Sequence, residues 1–251
     1  MNGNIRNFFS SIPGIRLFIK TARRLLFQIL LKITVFMGAG FKTQAALLRK
    51  DGINILIWFD PQVITYRAPK SENGKFVQKL HRNGIKTIDE STPTIAPTVE
   101  QMFVQNESYE FTPQFNKMIK QVSKGQRAYY CETTEEVHLY FQNLERAYQS
   151  ISTDGYLLQK DLKKKDETMI DPRHRDRYCD EIQLVIDKNS DMLLGWAGTH
   201  RLLIARILEL DRIPGIVKYV DEEWAEGVFN ESKTKNLKKA IETKIKELSL
   251  T

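Results

Sequence analysis

The chain has 251 residues, enough for one large domain or one domain with appended segments around a sizeable core. Apolar residues make up 41% and charged residues 27%, values that are ordinary for a soluble globular protein. The only two cysteines, Cys131 and Cys179, exclude a disulfide scaffold and a zinc site of the usual spacing. They are typical of a reduced, cytoplasmic protein.

The positive charge is concentrated at the N-terminus. The net charge is +7, but residues 1–50 hold nine basic residues and no acidic one. The remainder therefore has 29 basic against 31 acidic residues, a net charge of −2. A uniformly basic chain would favour nucleic acid as a partner. Because the body is slightly acidic, nucleic acid is not the expected partner.

Residues 1–40 predict a basic amphipathic helical segment. Pro13 suits the first helical turn, and the Gly-Ala-Gly sequence at 38–40 suits its end. Polar side chains recur at every fourth position, and apolar residues fill most of the positions between them. The polar positions are Arg16, Lys20, Arg24, Gln28 and Lys32.

Four roles for this helix stay open. It can lie in a membrane surface through residues 13–37, held by its apolar face and by anionic lipid. It can instead pack on the body as an ordinary helix, or serve as a targeting presequence, because such helices lack acidic residues. A membrane span is the least favoured, since Gln28 and Lys32 fall mid-span and a central lysine costs roughly 3 kcal/mol.

Residues 41–134 predict an elaborated α+β segment. Its strand at 53–59 is expected to be buried, because the run is apolar and β-branched. Prolines and glycines predict irregular structure over 67–100. The other expected elements are a short helix over 43–49, a short strand over 63–66, helix plus loop over 101–125, and a short strand at Tyr129-Tyr130.

Residues 135–229 predict a second α+β unit, and residues 230–251 a C-terminal helix. The apolar spacing after Glu135 is helical, and two acidic residues stand in its first turn, as the helix dipole favours. The expected elements are a helix over 135–152, a strand over 181–186, a turn over 187–190, a helix to about residue 210, a strand over 213–220, and a lysine-rich helix over 233–248.

The helix start at Gly198-Thr199-His200-Arg201 has the pattern of an anion site. Backbone N–H groups point out of a helix N-terminus, and the helix dipole favours negative charge there. Thr199 is expected to cap the helix and Arg201 to hold a phosphate with two hydrogen bonds. The alternative is an ordinary helix start without a ligand.

Two blocks of this sequence resemble the ParB/sulfiredoxin superfamily. The first is Gly198-x-His200-Arg201-x-x-x-Ala205 followed by "LELDRIPGIV", and the second is the helix and turn over 144–159. The resemblance covers residues 140–225 and implies an α+β fold of that type, with a nucleotide or other phosphate ligand at Gly198, Thr199, His200, Arg201 and Gln159. Nucleotide hydrolysis or phosphoryl transfer, with Mg²⁺ accompanying the nucleotide, is the reaction it implies.

This chain also departs from the superfamily pattern. Thr199 stands where sulfiredoxins carry the catalytic cysteine, so sulfinic acid reduction is not expected. No helix-turn-helix pattern follows Trp224, which counts against a ParB-like DNA-associated protein, the third hypothesis. A charged insertion over 160–179 separates the two blocks.

Several side chains are candidates for chemistry or for closing the site. His200, Glu181 and Asp187 are candidate acids or bases, with Asp154 as a further carboxylate, although no motif assigns them a role. The charged insertion is a solvated loop or a mobile lid that closes on a phosphate through Arg173, His174, Arg175 and Arg177. No resident metal site is expected. The second functional hypothesis is a non-catalytic adaptor docked to a membrane or partner by the N-terminal helix.

Overall fold

The structure is a computed structural model that describes residues 13–48, 54–69, 76–158, 161 and 181–249. Over these residues the protein is of the mixed α+β class, as predicted. The helices are α1 (Pro13–Phe36), α2 (Phe41–Leu47), α3 (Ile88–Ser91), α4 (Ile95–Phe103), α5 (Pro113–Val122), α6 (Thr134–Asp154), α7 (Thr199–Ile207), α8 (Glu222–Glu231) and α9 (Leu237–Leu248). The strands are β1 (Ile55–Phe59), β2 (Tyr66–Arg67), β3 (Val77–Gln78), β4 (Lys86–Thr87), β5 (Ile182–Ile186), β6 (Met192–Leu194) and β7 (Ile213–Asp221).

The described strands form one mixed sheet in the order β1-β7-β5-β6-β2-β4, and β3 adds to β7. β7 is central and buried along its whole length, parallel to β5 and antiparallel to β1. Such a strand reads as a continuous apolar run, which is why residues 213–220 predicted it. The sheet joins strands from both sides of the predicted segment boundary at residues 134/135, so the two segments share one core.

The two faces of the sheet are covered differently. One face packs on the helices in a large apolar core, to which Leu184 and Val217 contribute from the sheet. On the other face, Val185 and Tyr219 form a small cluster with Ala68 and Leu193. The alternation of Leu184 and Val185 between the two clusters follows from the two-residue period of a strand. α7 packs on β5 from the side of the large core.

The helix α1 forms close to the predicted bounds, and in its second half, whose side chains the structure describes, one stripe packs on the body. Leu31 is buried in the large core and Phe27 is partly buried against it, and α1 contacts α2. The remaining large apolar side chains of its second half face outward. Among the described residues, no helix carries an apolar stretch long enough to cross a bilayer.

Several other predicted elements are confirmed with shifts of a few residues. They are the helix before the first strand (now α2), the long helix α6, the strands β5 and β7, the turn after β5, the helix α7 and the C-terminal helix α9. Each has a strong apolar period or a clear terminal signal, which explains why the sequence predicted it.

Four expectations need correction. The strand β1 is only half-buried, because it lies at the sheet edge with Leu56 and Trp58 exposed. The second strand is Tyr66–Arg67, preceded by a 3₁₀ turn over Pro61–Val63. The range 67–100 is not irregular throughout, since it includes β3, β4, α3 and the start of α4. Tyr129 and Tyr130 form a tight turn and not the predicted strand. The flanking residues Ala128 and Cys131 exchange two backbone hydrogen bonds.

Candidate functional site

Gly198 determines where α7 begins and how closely it approaches β5. Its φ of +95° lies in the left-handed region, which L side chains rarely adopt. A Cβ atom there would lie 2.7 Å from the Cα of Ile182, so only glycine fits this close approach. Gly198 is the N-cap residue and Thr199 the first helical residue, which corrects the expectation that Thr199 caps the helix. The first turn of α7 therefore has no N-cap side chain accepting its N–H groups.

Arg67 of β2 reaches the same helix start from a distant part of the sequence. Its Nη2 donates to Oγ1 of the buried Thr199 at 2.5 Å, and its Nε donates to the carbonyl oxygen of Gly195 at 3.2 Å. The guanidinium carbon lies 5.6 Å from the ring centre of Trp196. Burial lowers the pKa of Arg67, opposed by Tyr129, yet an arginine stays protonated in proteins. Within the described part of the chain, no carboxylate pairs with Arg67.

His200 is held in a polar network between three helices. Its Nε2 lies 2.9 Å from Oε1 of Gln114 in α5 and 3.5 Å from the hydroxyl of Tyr140 in α6. Because an amide oxygen only accepts, Nε2 carries the proton in this arrangement and Nδ1 is left as the acceptor. Burial, with the positive charges of Arg201 and Arg67, lowers the pKa of His200 to about 4. His200 is therefore neutral at physiological pH.

Arg201 connects the helix start to the carboxylate of Glu181. Its Nη1 lies 3.6 Å from Oε2 of Glu181, and both side chains are largely buried. The same nitrogen donates to the hydroxyl of Tyr156 at 3.1 Å. Burial raises the pKa of Tyr156 to about 12, against the opposing effect of Arg201, so the phenol stays protonated and can accept this bond. The ion pair aims Arg201 and neutralises one of the two guanidinium charges at the site.

The structure brings together five of the predicted residues and separates the others. Gly198, Thr199, His200 and Arg201 form the helix start, and Glu181 contacts it. Asp187 lies at the opposite end of β5 and accepts from the backbone N–H groups of Asn189 and Asp191, which holds the turn. Asp154 is the exposed last residue of α6. Gln159 and the lid candidates Arg173, His174, Arg175 and Arg177 lie outside the described residues.

Glu181 apart, sequence reasoning missed the side chains that reach the site from outside α7. Arg67, Gln114 and Tyr140 stand on three different elements, and none is part of a local motif. Their convergence depends on the pairing of β2 with β6 and on the packing of α5 and α6 near α7. A single sequence does not encode such contacts in any local spacing.

Across the described ranges, no three His, Cys, Asp or Glu side chains are grouped to hold a metal ion. A cavity of about 660 Å³ lies between the end of β1, the β5–β6 hairpin and the end of α9, where Tyr66, Asp191 and Arg212 help to line it. It shares no lining residue with the start of α7, whose chemistry is the more specific of the two.

Comparisons with protein-family models, with curated proteins and with solved structures each give no match for this chain. Function must therefore be inferred from the geometry of the site and from the exposed surfaces.

Proposed function

We propose that this protein binds a phosphate-bearing ligand, a nucleotide in a ParB/sulfiredoxin-like mode, at the start of α7. The observation that carries the proposal is the convergence of Arg67 and Arg201 on the first turn of this helix. Arg67 is partly buried and meets no described carboxylate, and an anionic ligand compensates a desolvated cation. The N–H groups and dipole of α7 favour the same ligand charge.

The site is better arranged for binding than for proton transfer by His200. A histidine with a pKa of about 4 is a weak base at neutral pH. Hydrolysis or phosphoryl transfer needs a metal ion in addition, and Mg²⁺ is usually held by one or two carboxylates together with the substrate phosphates. Glu181 is the nearest described carboxylate and would supply that contact. Nucleotide binding is thus the core of the proposal, and Mg²⁺-dependent turnover is its extension.

A thermal-shift comparison tests ligand binding. Purified protein is melted with CTP, ATP, ADP, GTP or inorganic phosphate, each with and without magnesium. A ligand at ~100 times its Kd adds about 2.7 kcal/mol to the free energy of unfolding. We expect one nucleotide to stabilise the natural protein and to lose its effect in Arg67→Met and Arg201→Met. The control Arg146→Met removes an exposed arginine of α6 and keeps the shift. No shift with any ligand contradicts the proposal.

The second candidate function is a non-catalytic adaptor at the periphery of a membrane or on a partner, docked by α1. It is favoured by a specific observation, the outward apolar surface of α1. The two proposals are separable, because the start of α7 receives no described contact from α1. A protein lacking residues 1–37 should keep any nucleotide-induced shift if only docking depends on this helix.

A further inference from the structure

The second half of α1 presents a continuous apolar surface to the outside. The exposed fractions of its side chains run from 42% at Leu30 to 92% at Phe36. At 100° per residue these positions fall within an arc of about 140°, with no polar side chain among them. We name this surface the outer face of α1; it consists of Leu25, Leu26, Ile29, Leu30, Ile33, Phe36 and the adjoining Met37.

The outer face is held outward by contacts on the opposite side of the helix. Leu31 is buried in the core and Phe27 packs against it, and both lie outside the arc of the outer face. At the end of α1, the carbonyl of Ala39 accepts from Nε2 of Gln44, whose amide also bonds the backbone of Lys235 and Leu237. The outer face of α1 is therefore exposed without any rotation of the helix about its axis.

The charges of this region complement an anionic surface. The sequence of residues 1–50 contains nine basic residues and no acidic one. The five basic positions within α1 all fall outside the arc of the outer face; Arg23, Arg16 and Lys32 fall within about 40° of its edges, and the other two fall on the opposite side of the helix. Those five positions are Arg16, Lys20, Arg23, Arg24 and Lys32. An apolar arc bordered by cations is the arrangement of helices that lie in a membrane interface.

We propose that the outer face of α1 inserts into the surface of a bilayer that contains anionic lipid, with the helix lying in the plane of the membrane. The inference rests on the second proposed function and names its partner. Lipid fits better than a protein groove, because protein interface cores are enriched in tyrosine and tryptophan, and the outer face of α1 contains neither. Long basic side chains that border the apolar arc of an interfacial helix generally reach lipid phosphates while the arc enters the acyl region.

Vesicle co-sedimentation of the full chain tests the proposal. Vesicles contain phosphatidylcholine alone or equal amounts of phosphatidylcholine and phosphatidylserine. We expect at least about tenfold stronger partitioning onto the anionic vesicles, weakened by added salt. The variant I29E/I33E puts two carboxylates in the outer face and should reduce binding about tenfold or more. The control V104E/F111E replaces two other exposed apolar residues with the same charge and should bind as the natural chain does.

Each result separates the lipid inference from the docking function. Equal binding to both lipids, or binding unchanged in I29E/I33E, overturns the inference. Absence of binding to either kind of vesicle also overturns the inference. Sedimentation velocity then tests whether α1 docks on a second copy of the chain. A dimer that I29E/I33E dissociates and V104E/F111E preserves means that α1 docks on a second copy of the chain. A monomer in all three proteins excludes docking of α1 on a second copy of the chain. Circular dichroism verifies that each variant is folded.

Discussion

The lowered pKa of His200 makes stability depend on pH in a defined window. The unfolded histidine has a pKa near 6.5 and the folded one about 4, so the unfolded state binds more protons between these values. The free energy of unfolding should therefore fall as the pH drops from about 6.5 to 4, by about 3 kcal/mol from this group. Urea unfolding across this range, compared with His200→Gln, measures the effect. A pH dependence identical in both proteins would contradict the burial of His200.

The pair formed by Arg201 and Glu181 predicts a strong coupling. Arg201→Met leaves the buried carboxylate of Glu181 without this partner and should cost about 3 kcal/mol of stability. The double variant E181Q/R201M removes the charge as well and should be more stable than R201M alone. Urea unfolding of the two single variants and the double variant gives the coupling energy. Additive effects would mean that the pair contributes little, as exposed ion pairs do.

At the residue scale, the site side chains that could be predicted from the sequence are mainly those that share a local motif. Thr199, His200 and Arg201 are adjacent, so their placement at one helix start could be predicted from their spacing. The partner of Thr199 is Arg67, more than a hundred residues earlier, and a sheet pairing brings it there. Local spacing carries no information on such a contact.

At the element scale, the approach of α7 to β5 depends on a single missing side chain. Gly198→Ala should lower stability by about 3 kcal/mol, because its Cβ would meet the backbone of Ile182 and its φ is unfavourable for alanine. Gly227→Ala is the matched control, since it lies inside α8 with open space around it. That substitution should stabilise by about 0.5–1 kcal/mol. Chemical denaturation of both variants distinguishes a packing requirement from a general effect of glycine.

The turn at Tyr129-Tyr130 holds two bulky residues in left-handed conformations, with φ values of 47° and 73°. Two-residue turns of this kind favour glycine or asparagine. Tyr130→Gly should therefore raise the free energy of unfolding by about 1 kcal/mol, and Tyr130→Val should lower it, because a β-branched residue tolerates this region poorly. Thermal melts of the two variants test the pair. A loss of stability in both variants would mean that packing of the Tyr130 ring stabilises the protein by more than its backbone strain costs.

Elements with strong internal patterns were predictable and those defined by partners were not. The long apolar period of α6 and the apolar run of β7 were sufficient on their own. The strands β3, β4 and β6 have two or three residues each and exist only through their neighbours. The helix α3 did carry a signal, the capping box of Thr87 and Glu90, which the surrounding prolines and glycines obscured.

At the scale of the whole molecule, the described side chains of α1 contribute little to the core of the body. A protein lacking residues 1–37 should stay folded and lose about 3 kcal/mol of stability, since Leu31 and Phe27 supply most of the described burial of α1. Circular dichroism and urea unfolding of this protein measure both quantities. Global unfolding of the truncated chain would show instead that α1 is part of the cooperative core.

The pairing of β1 with β7 also orders events during synthesis. Ile55 pairs with Val217, about 160 residues later in the chain. The strand β1 therefore cannot pair in the sheet until β7 has been synthesised. α1 precedes both strands in the chain and forms its hydrogen bonds locally. Its outer face is therefore accessible to a membrane or partner before the sheet has assembled.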